Sequence, residues 1–73
     1  MDLLQTTGEV IDALGGTAAV ARRMGRRMTV VSNWRTGGNF PANTYLTFTA
    51  ALADIGKEAP ARLWGMVGAE VAA

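Results

Sequence analysis

Five arginines, Arg22, Arg23, Arg26, Arg27 and Arg35, lie in the window 16–53, which contains no acidic residue. The formal net charge of the whole chain is only +1, because its acids stand outside that window. Asp2, Glu9 and Asp12 precede it; Asp54, Glu58 and Glu70 follow it, beside Lys57 and Arg62. Arginine carries a rigid planar fork of donors that matches phosphate oxygens and the acceptor edge of guanine. Interleaved with the arginines are Met28, Thr29, Ser32, Asn33 and Thr36, a set of short donors, acceptors and methyl groups. Charge alone fits a solvated basic face as well as it fits a nucleic-acid site. Other chemistries are easier to exclude. Histidine and cysteine are absent, so nucleophilic or general-base catalysis would rest on carboxylates, and none stands near the arginines. Carboxylates alone are also a poor zinc set. No enzyme, cofactor, metal or small-molecule ligand is expected.

These residues need a scaffold. A chain of 73 residues, 49% hydrophobic, has room for one compact domain (1–73) with a marginal core. Without disulfides or a metal, self-association is the expected supplement. Met1–Gln5 has no basic leader, and no apolar run approaches the roughly 20 residues of a membrane span. A cytoplasmic protein without membrane contact is expected. Thr6 and Glu9 have capping-box spacing ahead of Val10, Ile11 and Leu14, and Gly15-Gly16 ends that first helix. Met1–Gln5 either extends it or forms an arm. Thr17 is expected to cap a second helix, Ala18–Met24, with Ala19, Val20 and Met24 on its apolar side. Gly25 stops it in a positive-φ conformation. A third helix runs from Arg27 or Met28 to Arg35, with Val31 and Trp34 on one buried side, and ends at Gly37-Gly38. Asn39-Phe40-Pro41 leads into a fourth, where Tyr45, Phe48, Leu52 and Ile55 form a stripe before Gly56. Pro60 opens a fifth, through about Ala69, carrying Leu63, Trp64, Met66, Val67 and Val71. Gly65 and Gly68 weaken it by about 1 kcal/mol each. The reading is all-α, with four to five short helices.

The second and third helices fit a helix-turn-helix. Two short helices crossing at about 90–120° need a small residue at their approach, and Ala21 supplies it. The turn needs a left-handed residue, Gly25, and the inner side of the second helix needs Val31 and Trp34. Val20 and Met24 complete this motif core, which spans Thr17–Thr36. The run ALGGTAAVARRMG followed by VVSNWRTGGNFPA resembles the small Cro/repressor-type regulators of phages and prophages, including the YdaS-like branch. The resemblance covers about residues 10–56. It implies a lambda-repressor-like domain and sequence-specific transcriptional regulation. Arg26 stands where that group usually has an aliphatic residue, and Arg27 where it usually has a serine-like cap, so both arginines can face DNA instead of the core.

In such motifs the second helix enters the major groove. The expected base-reading residues are Arg27, Met28, Thr29, Ser32, Asn33 and Thr36, with Asn33 suited to adenine, Arg27 to guanine, and Thr29 or Met28 to a thymine methyl. Thr17, Arg26, Arg35 and the amides of Gly37, Gly38 and Asn39 are expected to hold phosphates. Plainer readings stand beside these. Trp34 is core; one of Arg22 and Arg23 is solvated or ion-paired; Asn33 can bond locally; Met28 can pack under the turn; the Tyr45–Ile55 stripe is core or dimer surface. A homodimer on a palindromic operator is expected, through helices four and five, with Leu63, Trp64, Met66 and Val67 as its apolar surface. The rivals are an antitoxin-like or adaptor module, whose third helix would expose an apolar face, and a non-specific architectural protein, which would carry more lysine.

Overall fold

A computed structural model describes residues 2–65. In chain order they form β1 (Asp2–Leu3), α1 (Thr7–Ala13), α2 (Thr17–Met24), α3 (Met28–Gly37), α4 (Tyr45–Asp54) and β2 (Lys57–Glu58). Single 3-10 turns occupy Ala42–Thr44 and Ala61–Trp64. The protein is mostly helical, and among the described residues no helix is long and apolar enough to cross a membrane.

α1 begins as the Thr6/Glu9 spacing predicts. Thr6 Oγ1 accepts from the Glu9 amide at 3.1 Å, and the Glu9 carboxylate accepts from the Gln5 amide at 3.1 Å. The Glu9 carboxylate also accepts from the Thr6 hydroxyl at 3.3 Å, so the return bonds come from the cap's side chain and from the amide of the residue before it. α2 departs from expectation by one residue: Gly16 is its N-cap, no side chain caps it, and Thr17 is already helical. Thr17 therefore is not the cap, and its hydroxyl takes another partner, described below. At the other end Gly25 is left-handed (φ 65°, ψ 35°). The Arg26 amide bonds the Ala21 carbonyl at 2.9 Å, and the Gly25 amide bonds that of Arg22 at 3.3 Å. This pair of bonds is the Schellman arrangement, which reverses the chain in the fewest residues and aims it into α3.

The core joins all four helices. Val10, Ile11, Val20, Val31, Phe48 and Leu52 are completely buried. Around them every aromatic residue of the chain converges. Phe40 stacks on Phe48 with centroids 4.3 Å apart, Trp34 meets both rings edge-on, and Trp64 lies 5.0 Å from Phe40 and 5.2 Å from Tyr45. Offset and edge-on pairs of this kind add about 0.5–1.5 kcal/mol each beyond the area they bury. The buried hydroxyls are satisfied within the protein. Thr7 donates to the Trp34 carbonyl at 2.9 Å, and Thr44 accepts from the Trp64 indole at 3.1 Å.

Three further expectations are corrected. The mostly helical fold agrees with the all-α reading but adds one two-residue pairing at its start: β1 pairs in parallel with β2, Asp2 opposite Lys57 and Leu3 opposite Glu58. The first residues are therefore neither a helix extension nor a loose arm. Ile55 lies past the end of α4 and is 46% exposed, so the α4 stripe ends at Leu52. The segment after Pro60 makes one 3-10 turn and ends at Gly65, which is left-handed. Its Leu63 and Trp64 are buried in this chain's own core, because the chain folds back: the Phe40 amide bonds the Leu63 carbonyl at 2.7 Å. Neither residue is available to a second copy. Met66, Val67 and Val71, with the rest of the expected fifth helix, lie outside the described residues.

Candidate nucleic-acid interface

α3 has two chemically distinct sides. Val31 and Trp34 face the core, with Val30 half-buried between. Thr29, Ser32, Asn33 and Thr36 recur at i, i+3, i+4 and i+7 and are all exposed. They form one polar stripe along the helix. Met28, the first helical residue, is 55% exposed, so it does not pack under the turn. The Thr36 hydroxyl donates to the Ser32 carbonyl at 3.1 Å, which commits its proton while leaving its lone pairs and methyl group outward. The Asn33 amide makes no hydrogen bond among the described residues, so both its donor and its acceptor are open to an outside partner.

The motif core predicted from spacing converges on one seam between α2 and α3. Val20, Ala21, Val31 and Trp34 are buried, Met24 is half-buried against them, and Gly25 makes the turn. This seam orients the stripe: with Val31 and Trp34 held inward, the residues on the other side of a ten-residue helix have no choice but solvent.

Arginine surrounds the amino end of the stripe. Arg26 and Arg27 lie in the turn, and Arg22 and Arg23 in the last turn of α2; all four are exposed, and none is ion-paired among the described residues. Arg27 is the N-cap of α3 in extended backbone (φ −73°, ψ 152°), and no side chain caps the helix. The first amides of α3 therefore lie without a side-chain cap beside these exposed arginines. At the opposite end Gly37 is helical, Gly38 is the left-handed cap, and both are exposed along with Asn39.

Arg35 is placed differently from the other arginines. It is half-buried, and its Nη2 donates to Asp12 Oδ1 at 2.8 Å and to Thr17 Oγ1 at 3.3 Å. The hydrogen bond from Arg35 holds the Asp12 carboxyl below its ordinary value of 3.8, and the same bond raises the guanidinium. Two of the expected phosphate ligands, Thr17 and Arg35, are thus brought together. Asp12 joins them, an acid that the sequence marks only by its charge ahead of the arginine window. No local signal could have found it, since the partners are 23 residues apart on different helices.

What this surface can do follows from its groups. It combines neutral donors and acceptors on the exposed side of α3 with flanking cations, and it lacks any acid on the stripe itself. No family model, curated protein or solved structure matches the chain, so the likeness to Cro/repressor-type regulators rests on the residue pattern alone.

Proposed function

We propose that this protein is a helix-turn-helix regulator that binds double-stranded DNA sequence-specifically, inserting α3 into the major groove. The observation that carries this reading is the exposed stripe Thr29, Ser32, Asn33 and Thr36, set against buried Val31 and Trp34 and flanked at its amino end by Arg26 and Arg27. A helix is about the width the major groove admits, and amide and hydroxyl groups are the ones that distinguish base edges there. Asn33 reads adenine, Arg27 reads guanine, and Thr29 or Met28 touches a thymine methyl. Thr17, Arg26, Arg35 and the Asn39 amide meet phosphates and set the register; the amides of Gly37 and Gly38, expected to join them, do not, because Gly37 lies within α3 and the Gly38 amide bonds the Trp34 carbonyl at 3.0 Å. An adaptor module is disfavoured because the outward side of α3 is polar instead of apolar.

The biological setting that goes with this reading is repression in a bacterial cytoplasm or a phage-infected cell, by a Cro-like protein. A homodimer on a palindromic site is part of the proposal, because one short helix reads few base pairs and a two-fold pair reads two half-sites. Since Leu63 and Trp64 are buried within one chain, the second copy must use other apolar groups. On α4 the exposed large one is Leu46, 78% accessible, with Ala50 and Ala53 also exposed.

Selection of binding sites from a random duplex pool tests the reading. A two-fold symmetric motif that loses about 1–3 kcal/mol at one base pair with Asn33→Ala is the expected result. Equal affinity for all duplexes would replace specific regulation with architectural binding, and no affinity for any duplex would remove the DNA reading altogether. Light scattering of the protein alone and on its selected duplex tests the dimer.

A further inference from the structure

Three helices meet at Arg35. Its side chain leaves α3, lies along α1 and reaches the first residue of α2. A β-carbon added at Gly8 on α1 would stand 3.4 Å from Nη1 and 3.7 Å from Cγ, which shows how closely the side chain follows that helix. At its tip Nη2 donates to Asp12 at 2.8 Å and to Thr17 at 3.3 Å. A guanidinium has five N–H donors, and these two bonds use those of Nη2. The Nε and Nη1 donors have no acceptor among the described residues, and 35% of the side chain remains accessible.

We propose that Asp12 is a positioning residue of the DNA interface: it pins the Arg35 guanidinium across the start of α2 through Nη2, so that the unused Nη1 donors meet a backbone phosphate. The role rests on the DNA-binding reading above. Two opposing effects decide its sign. An arginine held in one rotamer before binding loses less conformational freedom when it takes a phosphate. Against this, a carboxylate beside the bound phosphate repels it at a range that salt does not screen, but Asp12 is 67% exposed, so the high dielectric of the surrounding water keeps that repulsion small. Positioning acts at contact distance and repulsion acts through water, so positioning wins. The plain alternative is a surface ion pair that merely ties α1 to α3. Such pairs contribute little to stability, and a purely structural tie leaves the salt dependence of DNA binding unchanged.

The test measures affinity of the full chain for its selected duplex and for a scrambled duplex over a range of salt. Asp12→Ala weakens both alike, by about three- to tenfold, as expected for a phosphate contact and not a base contact. It also makes the slope of log affinity against log salt shallower by about 0.9, the share of one phosphate. Asp12→Glu, which keeps the carboxylate, restores most of the loss. In an Arg35→Gln background the same Asp12→Ala change causes no further loss and gives a small gain, because only repulsion is then removed. Native-like affinity and slope for Asp12→Ala, or tighter binding with Arg35 present, overturns the role while leaving the DNA reading intact. A native chain that binds neither duplex overturns both. Circular dichroism of each variant keeps misfolding apart from these outcomes.

Discussion

The inner and outer sides of α3 share one backbone and meet opposite surroundings. Inward, Val31 and Trp34 are fitted among Phe40, Phe48 and the α2 seam, where every change of volume is felt by several neighbours. Outward, Thr29, Ser32, Asn33 and Thr36 touch little but solvent, apart from the bond from Thr36 to the Ser32 carbonyl. The inner side therefore determines whether the helix exists and where it points, while the outer side is open to selection by a partner. Stability and recognition are separable here residue by residue, although they occupy the same ten positions.

The largest test of that separation is Phe48→Ala. Phe48 is completely buried and packs against Trp34, Phe40 and Trp64 at once. Emptying the site costs about 3–5 kcal/mol, a large share of what a domain this small possesses. Urea or thermal denaturation is expected to find a chain that is largely unfolded or close to its midpoint at room temperature. Loss of less than about 1 kcal/mol would mean that the aromatic cluster is not the centre of the fold.

The next test sits at the junction that aims α2. Gly16 has φ 98° and ψ 176°, a region closed in practice to residues with a β-carbon. Its surroundings are open, with nothing within 4 Å of an added β-carbon, so any penalty of Gly16→Ala comes from backbone strain alone. About 1–3 kcal/mol is expected. Gly37 is the counterpart: also open, but helical and without a positive φ. Gly37→Ala is expected to raise stability by up to about 0.5–1 kcal/mol. Equal effects from the two substitutions in denaturation would break the comparison.

How much of this was legible beforehand depends on the range of the interaction. Periodicity showed the inward side of α3 and the start of α1, because Val31/Trp34 and Thr6/Glu9 are local pairs. The Gly25 turn was legible for the same reason. Thr17 misled because a threonine before an apolar run is a good cap on average, whereas here Gly16 adopts a conformation that starts the helix one residue earlier. The fate of Leu63 and Trp64 was not legible at all. Their apolar spacing is the same whether they cover a partner or their own core. What decides it is a space beside Phe40 and Tyr45 and an acceptor on Thr44, all brought there by tertiary folding. The pairing of β1 with β2 is of the same kind, since two-residue strands more than 50 positions apart carry no pattern. At the candidate site, the polar stripe was readable and the Asp12–Arg35–Thr17 junction was not.

That junction gives a smaller effect, read through pH. The folded-state value of Asp12 is depressed below 3.8, first by the hydrogen bond from Arg35. A depressed carboxylate contributes stability that is present above its unfolded value and lost as pH falls through its folded one. Between about pH 7 and 5 the pair therefore makes no difference to the slope of stability against pH. Its contribution disappears only below about 3.8. Acid titration monitored by circular dichroism, native chain against Asp12→Ala, is expected to give parallel curves above that point and converging ones below it. Curves that diverge near neutral pH would mean that another group carries the dependence.

The smallest effect on stability belongs to the outer side, and its sign is informative. The Asn33 side chain makes no hydrogen bond among the described residues, so Asn33→Ala breaks none of theirs. Alanine is the better helix former, by about 0.5–0.7 kcal/mol in an exposed interior position. The variant is therefore expected to melt at the native temperature or slightly above it, while losing affinity for the selected duplex and not for a scrambled one. Stability and specific binding would then move in opposite directions through a single side chain. A fall in stability beyond about 0.5 kcal/mol would show that Asn33 supports the fold, and the two sides of α3 would no longer be independent.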